Sequence, residues 1–307
     1  MLRTFTSAVA VMAGVAAGSS GQARGAAFTE TFDDGLASGR WTVASQQEAT
    51  RDPSTGPDGS VNFNFDYSTL GIAAPSGSTG TTGAFVQVNS TDQVGDEGET
   101  YVIFPSSYAL PTSGYWRVDA DMFVWNDAAA GTTELGMIGA YLNPAAPIAP
   151  YQWGASGGPL TWIYSGEGGS TADLARFREG TSTTTGYSAI SDYNAWPAGS
   201  IPGFETGVAG SGGPAGDNPA GSWVDIAIEK VGDDIIWYLN GVEIERYTNA
   251  GFYSDGTFFL GTTDPFNSSN AGGGAVIDNV LVTVPEPASL ALFGLGAAAL
   301  LRRHRHA

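Results

Sequence analysis

The sequence predicts an all-β protein, one β-sandwich between two short apolar ends, and three observations predict it. Segment after segment alternates apolar and polar residues with period two, as a half-buried strand does. Glycine supplies 44 of the 307 residues, about twice its ordinary share of roughly 7%, and it punctuates those segments as turns do. Between the ends, no stretch combines helical periodicity with helix caps. A content of 42% hydrophobic and 11% aromatic residues can fill a core. Glycine and proline together reach 60 of 307, below the roughly 25–30% that marks disorder. No repeat of solenoid length recurs.

The elements follow in order. Phe28, Glu30 and Phe32 alternate with two threonines in a first strand, and Asp33-Asp34-Gly35 closes it as a turn. Residues 41–44 form a second strand, and Val61, Phe63 and Phe65 alternate with Asn62 and Asn64 in a third. A Gly/Ser/Thr/Pro loop at 74–83 leads to strands at 84–88 and 100–104. Residues 115–125 predict a long strand with Trp116, Val118, Ala120, Met122 and Val124 on one face, and 134–142 follows. From 143 to 221 the chain turns rich in Gly, Pro, Ser and Thr, and only 160–164 and 174–178 stand out as strands.

The clearest pattern comes next. Val224, Ile226 and Ile228 alternate with Asp225, Ala227 and Glu229 across a strand at 223–231. Gly232-Asp233 turns into a strand at 235–239, and Asn240-Gly241 is a strong two-residue hairpin signal. In that register Trp237 faces Ile244 and Leu239 faces Val242, which leaves Tyr238, Glu243 and Glu245 toward solvent. Strands at 257–260 and 275–284 complete a sandwich of about twelve strands.

Composition excludes whole classes of chemistry. There is no cysteine, and both histidines, His304 and His306, sit in the extreme tail. That removes disulfides, thiolate sites, histidine-based triads and His-ligated zinc from the domain. Residues 28–284 carry 7 basic and 30 acidic side chains, a net charge of −23, and Lys230 is the only lysine in the chain. Such a surface repels nucleic acid and anionic lipid and attracts cations.

The ends read as addresses. Arg3, an apolar run at 5–17 and the small residues Gly25, Ala26 and Ala27 predict a signal peptide at 1–27, too short to span a bilayer and cleaved before Phe28. At the other end, Pro285-Glu286-Pro287 precedes an apolar stretch at 288–301 and then Arg302, Arg303 and Arg305. This order resembles the PEP-CTERM sorting signal over residues 285–307. The resemblance implies an exported cell-surface protein, held transiently in the membrane by its C-terminus and processed by an exosortase-type membrane protease. Fourteen apolar residues make only about 21 Å of helix against about 30 Å of hydrocarbon, a marginal anchor.

A second resemblance lies in the domain at 28–284. The hairpin around Asn240-Gly241, the closing Val276-Ile277-Asp278-Asn279-Val280, and residues 65–72 are similar to concanavalin A-like, laminin-G-type jelly rolls of bacterial surface proteins. That resemblance implies a jelly-roll β-sandwich and leaves activity open among lectins, glycosidases and adhesion modules.

Only carboxylates could carry catalysis here, and Asp119-x-Asp121 and Glu243-x-Glu245 are the nearest pairings. We read both as surface charge and expect no catalytic residues. Calcium needs hard oxygen ligands from several segments. Glu30, Asp33 and Asp278 are expected to meet where first and last strands adjoin; residues 92–99 and 264–267 are further oxygen-rich stretches. Trp153, Tyr187, Tyr193 and Trp196 are the candidate glycan contacts among the loop aromatics. The expected function is a non-catalytic surface or matrix protein that binds extracellular polysaccharide, with a carboxylate-dependent glycosidase or lyase and a purely structural matrix component as alternatives.

Overall fold

Alternation along each strand becomes a layered core once the strands are ordered. The computed structural model describes residues 24–47, 59–78, 80–88, 98–125, 135–145, 159–165, 173–177, 187–191, 196, 199–206, 217–218, 221–249, 253–264 and 273–285. Nearly all of the expected leader and sorting segment therefore lies outside the described residues. A compact unit spans Gly25–Val284. Its strands are β1 Arg24–Glu30, β2 Trp41–Gln47, β3 Ser60–Asp66, β4 Thr82–Gln87, β5 Glu99–Pro105, β6 Trp116–Trp125, β7 Leu135–Leu142, β8 Leu160–Ser165, β9 Leu174–Phe177, β10 Tyr187–Ser191, β11 Glu205–Thr206, β12 Asp217–Asn218, β13 Val224–Val231, β14 Asp234–Leu239, β15 Val242–Thr248, β16 Thr257–Asp264 and β17 Gly274–Pro285. Among the described residues, helix is limited to two 3-10 turns, Ala37–Gly39 and Tyr67–Leu70.

Two antiparallel sheets form a sandwich. One has eight strands in the order β15-β14-β13-β6-β17-β4-β3, with β1 beside β17; the other has seven, in the order β10-β9-β8-β7-β16-β5-β2. β11 and β12 make a separate short ribbon. The inner faces of both sheets share one core, in which Trp116, Val118, Met122, Trp162, Ile228, Trp237 and Ile277 are buried. Burying each such side chain contributes about 1.5–3 kcal/mol. The predicted inner face of β6, from Trp116 to Val124, is the observed one.

The seven-stranded sheet is buried on both faces along β5, β7, β8 and β16. Val102, Met137, Ile163 and Phe259 belong to a second cluster apart from the main core. Strands buried on both sides tend to near-continuous apolar runs, as Tyr101 to Phe104 and Phe258 to Leu260 show. β10, β11 and β12 went unanticipated because they lie in the Gly- and Ser-rich stretch with little alternation. β1 also begins at Arg24, ahead of the expected cleavage point at Phe28.

One expectation is corrected. Asn240 at φ 47° and Gly241 at φ 78° make the hairpin turn as predicted. Beyond the turn the register shifts: Tyr238 pairs with Glu243, but Trp237 pairs with Glu245. Ile244 is the extra residue of a β-bulge, and a one-residue slip reverses the faces. Glu245 therefore shares the inward side of Trp237. It accepts a hydrogen bond from Trp162 Nε1 at 2.7 Å and pairs with the Arg176 guanidinium, which lies 4.8 Å from the centre of the Tyr247 ring. This ion pair ties β15 of one sheet to β9 of the other.

Candidate functional site

Strand order assembles the site on the outer face of the eight-stranded sheet. Because Trp116, Val118, Ala120 and Met122 point inward, Arg117, Asp119, Asp121 and Phe123 of β6 point outward. Register then places Asp225 of β13 opposite Asp121 on one side and Asp278 of β17 opposite it on the other. Three aspartates thus stand in a row across three adjacent strands. Like charges directly opposite one another destabilise a sheet, so this row needs compensation.

Compensation comes from a bulge and a tyrosine. β17 breaks register between Asp278 and Leu281, and Asn279 takes a left-handed φ of 48°, a conformation asparagine tolerates. Its backbone N–H donates to Asp278 Oδ1 at 2.7 Å, and its Nδ2 donates to Asp121 Oδ2 at 2.8 Å. Tyr67 Oη lies 3.0 Å from Asp278 Oδ2 and 2.9 Å from the Gly80 carbonyl. A phenol has one proton. Two acceptors around that hydroxyl are satisfied together only when Asp278 carries a proton of its own and donates it to Tyr67.

Electrostatics agree with that count. Asp278 is 1% exposed. Burial, helped by the charges of Asp33 and Asp121 and opposed by the Asn279 and Tyr67 hydrogen bonds, pushes it up to about 7. Burial and then Asp119 also raise Asp121, against the Asn279 hydrogen bond. Asp225 keeps much of its residue surface open to water. Even so, the packing around its carboxyl, and then Asp119 and Asp121, push it up to about 6.

Aromatic rings wall one side of the row. Trp223 meets Tyr67 edge-on at 5.2 Å and Phe123 at 5.6 Å between ring centres. Its Nε1 donates to the Ala73 carbonyl at 2.6 Å, which fixes the indole. Trp125 and Phe65 pack partly buried beside them. On the other side, Arg117 bonds Asp119 at 2.7 Å and lies 4.9 Å from the Tyr238 ring centre, while Tyr238 donates to Glu229 at 2.9 Å.

The residues singled out in the sequence have separate fates. The charge of Asp33 acts on both Asp278 and Tyr67. Asp33 also lies against Gly80, where a Cβ would stand 1.9 Å from its Oδ1, so any larger residue there must displace the Asp33 carboxylate. Glu30 is committed elsewhere. Its oxygens accept from Arg40 Nε at 2.7 Å, Trp41 Nε1 at 3.1 Å and the Phe32 backbone N–H at 2.9 Å. Burial raises the Glu30 pKa, but these partners outweigh it and hold the carboxyl below its ordinary value. Glu30, Asp33, Asp34 and Arg40 border an open recess of about 470 Å³ with Thr29 and Thr31. Among the described residues, no three acidic or imidazole side chains stand together in a metal-holding arrangement.

Trp153 and Tyr193 lie outside the described residues. Tyr187 opens β10 opposite Phe177, and its side chain is outside them too. Trp196 packs half-buried against the main core. Tyr67 and Trp223 were not anticipated as site residues. The signal available was an Asp-Asn pair inside an otherwise apolar closing strand.

Residues 283–305 match the PEP-CTERM protein-sorting motif, in keeping with Pro285, Glu286 and Pro287. The motif marks the chain for export and C-terminal sorting and implies processing by an exosortase at the membrane. No helix among the described residues is long and apolar enough to cross a membrane. No curated protein matches the chain. Among solved structures it is similar to a protein of unknown function with a galectin-like fold from Bacillus subtilis, at 12% identity over 86% of this chain and 100% of that one, with a TM-score of 0.44. It is also similar to a carbohydrate binding module from Bacillus subtilis, at 13% identity over 66% and 86% of the two chains, TM-score 0.37. A third is the alginate lyase from Corynebacterium sp., at 13% identity over 79% and 93%, TM-score 0.39.

Proposed function

We propose that this is an exported, exosortase-processed surface or extracellular-matrix protein whose eight-stranded sheet binds polysaccharide on its outer face without cleaving it. The observation that carries the reading is the half-buried Trp223 ring, packed on Tyr67 and Phe123, on the same sheet face as the accessible carboxylates Asp225 and Asp121. A sugar ring presents apolar C–H faces and polar hydroxyl edges. Rings receive the first and carboxylate or amide oxygens accept from the second. The strongly acidic domain favours neutral or cationic glycans over uronate polymers. Calcium enters this proposal as a weak, millimolar counter-ion at Asp33 and Asp278, not as an ion held by Glu30.

One observation favours a second reading, a carboxylate-dependent glycosidase: Asp278, pushed up to about 7, stands opposite Asp121. Such enzymes need one protonated and one ionised carboxyl. The Gly25–Val284 unit applied to a glycan array, with reducing ends assayed in parallel, separates the readings. Saturable binding without release of reducing ends is the expected result. Release that disappears in both Asp278→Asn and Asp121→Asn would establish the enzyme instead. No binding to any glycan would leave a structural matrix role and overturn the proposal.

A further inference from the structure

The sorting motif and the folded domain share residues. The motif match begins at Thr283, and β17 runs to Pro285. Residues 283–285 therefore belong both to the motif match and to the strand.

β17 is held firmly up to that point. It lies inside the eight-stranded sheet, with β6 on one side. Its terminal ladder pairs Leu281 with Asp119, Val282 with Val118 and Thr283 with Arg117. Val282 is fully buried, and Val284 packs on the main core. Pro285 has no N–H to continue the ladder, which makes it a natural last residue.

A protein that grips an extended peptide occupies several residues of it. One that grips this signal over its matched length must take 283–285 out of the strand. Removing them exposes Val284 and strips the ladder back toward Val282. Local opening at strand ends has its own free energy, set by the contacts that must break.

We infer that the end of β17 gates sorting: the membrane sorting machinery engages its signal only while residues 282–285 are out of the sheet. Closure of the sandwich and handling of the signal are then competing events. A domain that has closed is withdrawn from processing until the strand end reopens.

The test follows the conversion of full-length precursor to processed protein by pulse-chase in the exporting cell. Inserting six Gly/Ser residues followed by a second Thr-Val copy between Val284 and Pro285 leaves both the strand and the matched motif intact and should speed conversion about tenfold. Val282→Ala, which removes two buried methyl-sized groups at the gate, should raise the rate by a similar factor. Ile138→Val on β7, a loss of core volume in the other sheet, should leave the rate unchanged, which separates the gate from general instability. In the chain that carries the spacer, Val282→Ala should add nothing. The inference is overturned if the spacer leaves conversion unchanged. It is equally overturned if Val282→Ala accelerates conversion as much with the spacer as without it, or if Ile138→Val accelerates it too.

Discussion

Replacing Asp278 by asparagine should make the domain more stable at neutral and alkaline pH, although it removes a buried hydrogen-bonded side chain. The argument starts from Tyr67, whose one hydroxyl proton is shared between the Gly80 carbonyl at 2.9 Å and Asp278 Oδ2 at 3.0 Å. Asparagine at 278 resolves this. Its Nδ2 donates to Tyr67, Tyr67 donates to Gly80, and its Oδ1 still accepts from the Asn279 N–H. For the native residue, the folded-state value of about 7 is above the ordinary 3.8. The folded protein therefore holds a proton that the unfolded chain releases. This contribution to stability is complete below about pH 4 and is lost as pH rises through 7. Each unit is worth about 1.4 kcal/mol, so moving from pH 5 to pH 8 should cost the native domain about 1–3 kcal/mol through this group, allowing for relaxation. Urea denaturation of the Gly25–Val284 unit, followed by far-ultraviolet circular dichroism at pH 5, 6, 7 and 8, reads it directly. Asp278→Asn should gain about that amount at pH 8 and lose about that much of the slope. A residual slope below pH 6 should remain, because Asp225 is also raised, to about 6. A variant as pH-dependent as the native domain, or weaker at every pH, would refute the proton count.

Trp223→Ala should weaken glycan binding about tenfold or more while Trp223→Phe retains most of it, because stacking needs a ring; equal loss in both variants would point to the Ala73 hydrogen bond instead. Glu245→Gln should cost about 2–4 kcal/mol in urea denaturation, because it leaves the Arg176 charge between the sheets without its partner. The double variant Glu245→Met, Arg176→Met should recover most of that loss, and a double variant no better than the single one would show that the pair itself holds the sheets. Calcium should raise the melting temperature saturably, more at pH 8, where Asp278 is already ionised, than at pH 6, where the ion must compete with the Asp278 proton, and not in Asp33→Asn. An equal rise with magnesium at matched ionic strength would reduce the effect to screening.

Much of the fold was legible because burial on one face leaves a period-two trace. The β6 face from Trp116 to Val124 and the Asn240-Gly241 turn were read from local residues and stand where they were expected. Glu245 shows the limit of such reading. Four residues after a correctly placed turn, the bulge at Ile244 turned the Glu245 carboxylate inward, and no feature of Val242 to Thr248 marks the slip. What decides it lies on the opposite sheet, where Trp162 and Arg176 offer donors to an inward acid. A bulge that satisfies two buried donors is set by tertiary partners, which the hairpin's own sequence does not contain.

The site was less legible for a related reason. Asp119-x-Asp121 looks like ordinary surface charge along β6, and along one strand it is. The row across strands needs β13 and β17 as neighbours of β6, and those strands come about 100 and about 160 residues later, on the order of a domain length. Asn279 reaches Asp121 across 158 positions of sequence, and Tyr67 reaches Asp278 across 211. Solvated surface carboxylates would repel one another weakly and carry ordinary pKa values. These are raised because a bulge, a tyrosine and a packed aromatic wall remove water from around them. The sheet retains opposed aspartates at a cost in stability, and under the proposed reading the more accessible pair, Asp121 and Asp225, would supply the oxygens that meet sugar hydroxyls. Loss of pH dependence in Asp278→Asn together with loss of binding in Trp223→Ala would therefore trace both properties to one patch of sheet.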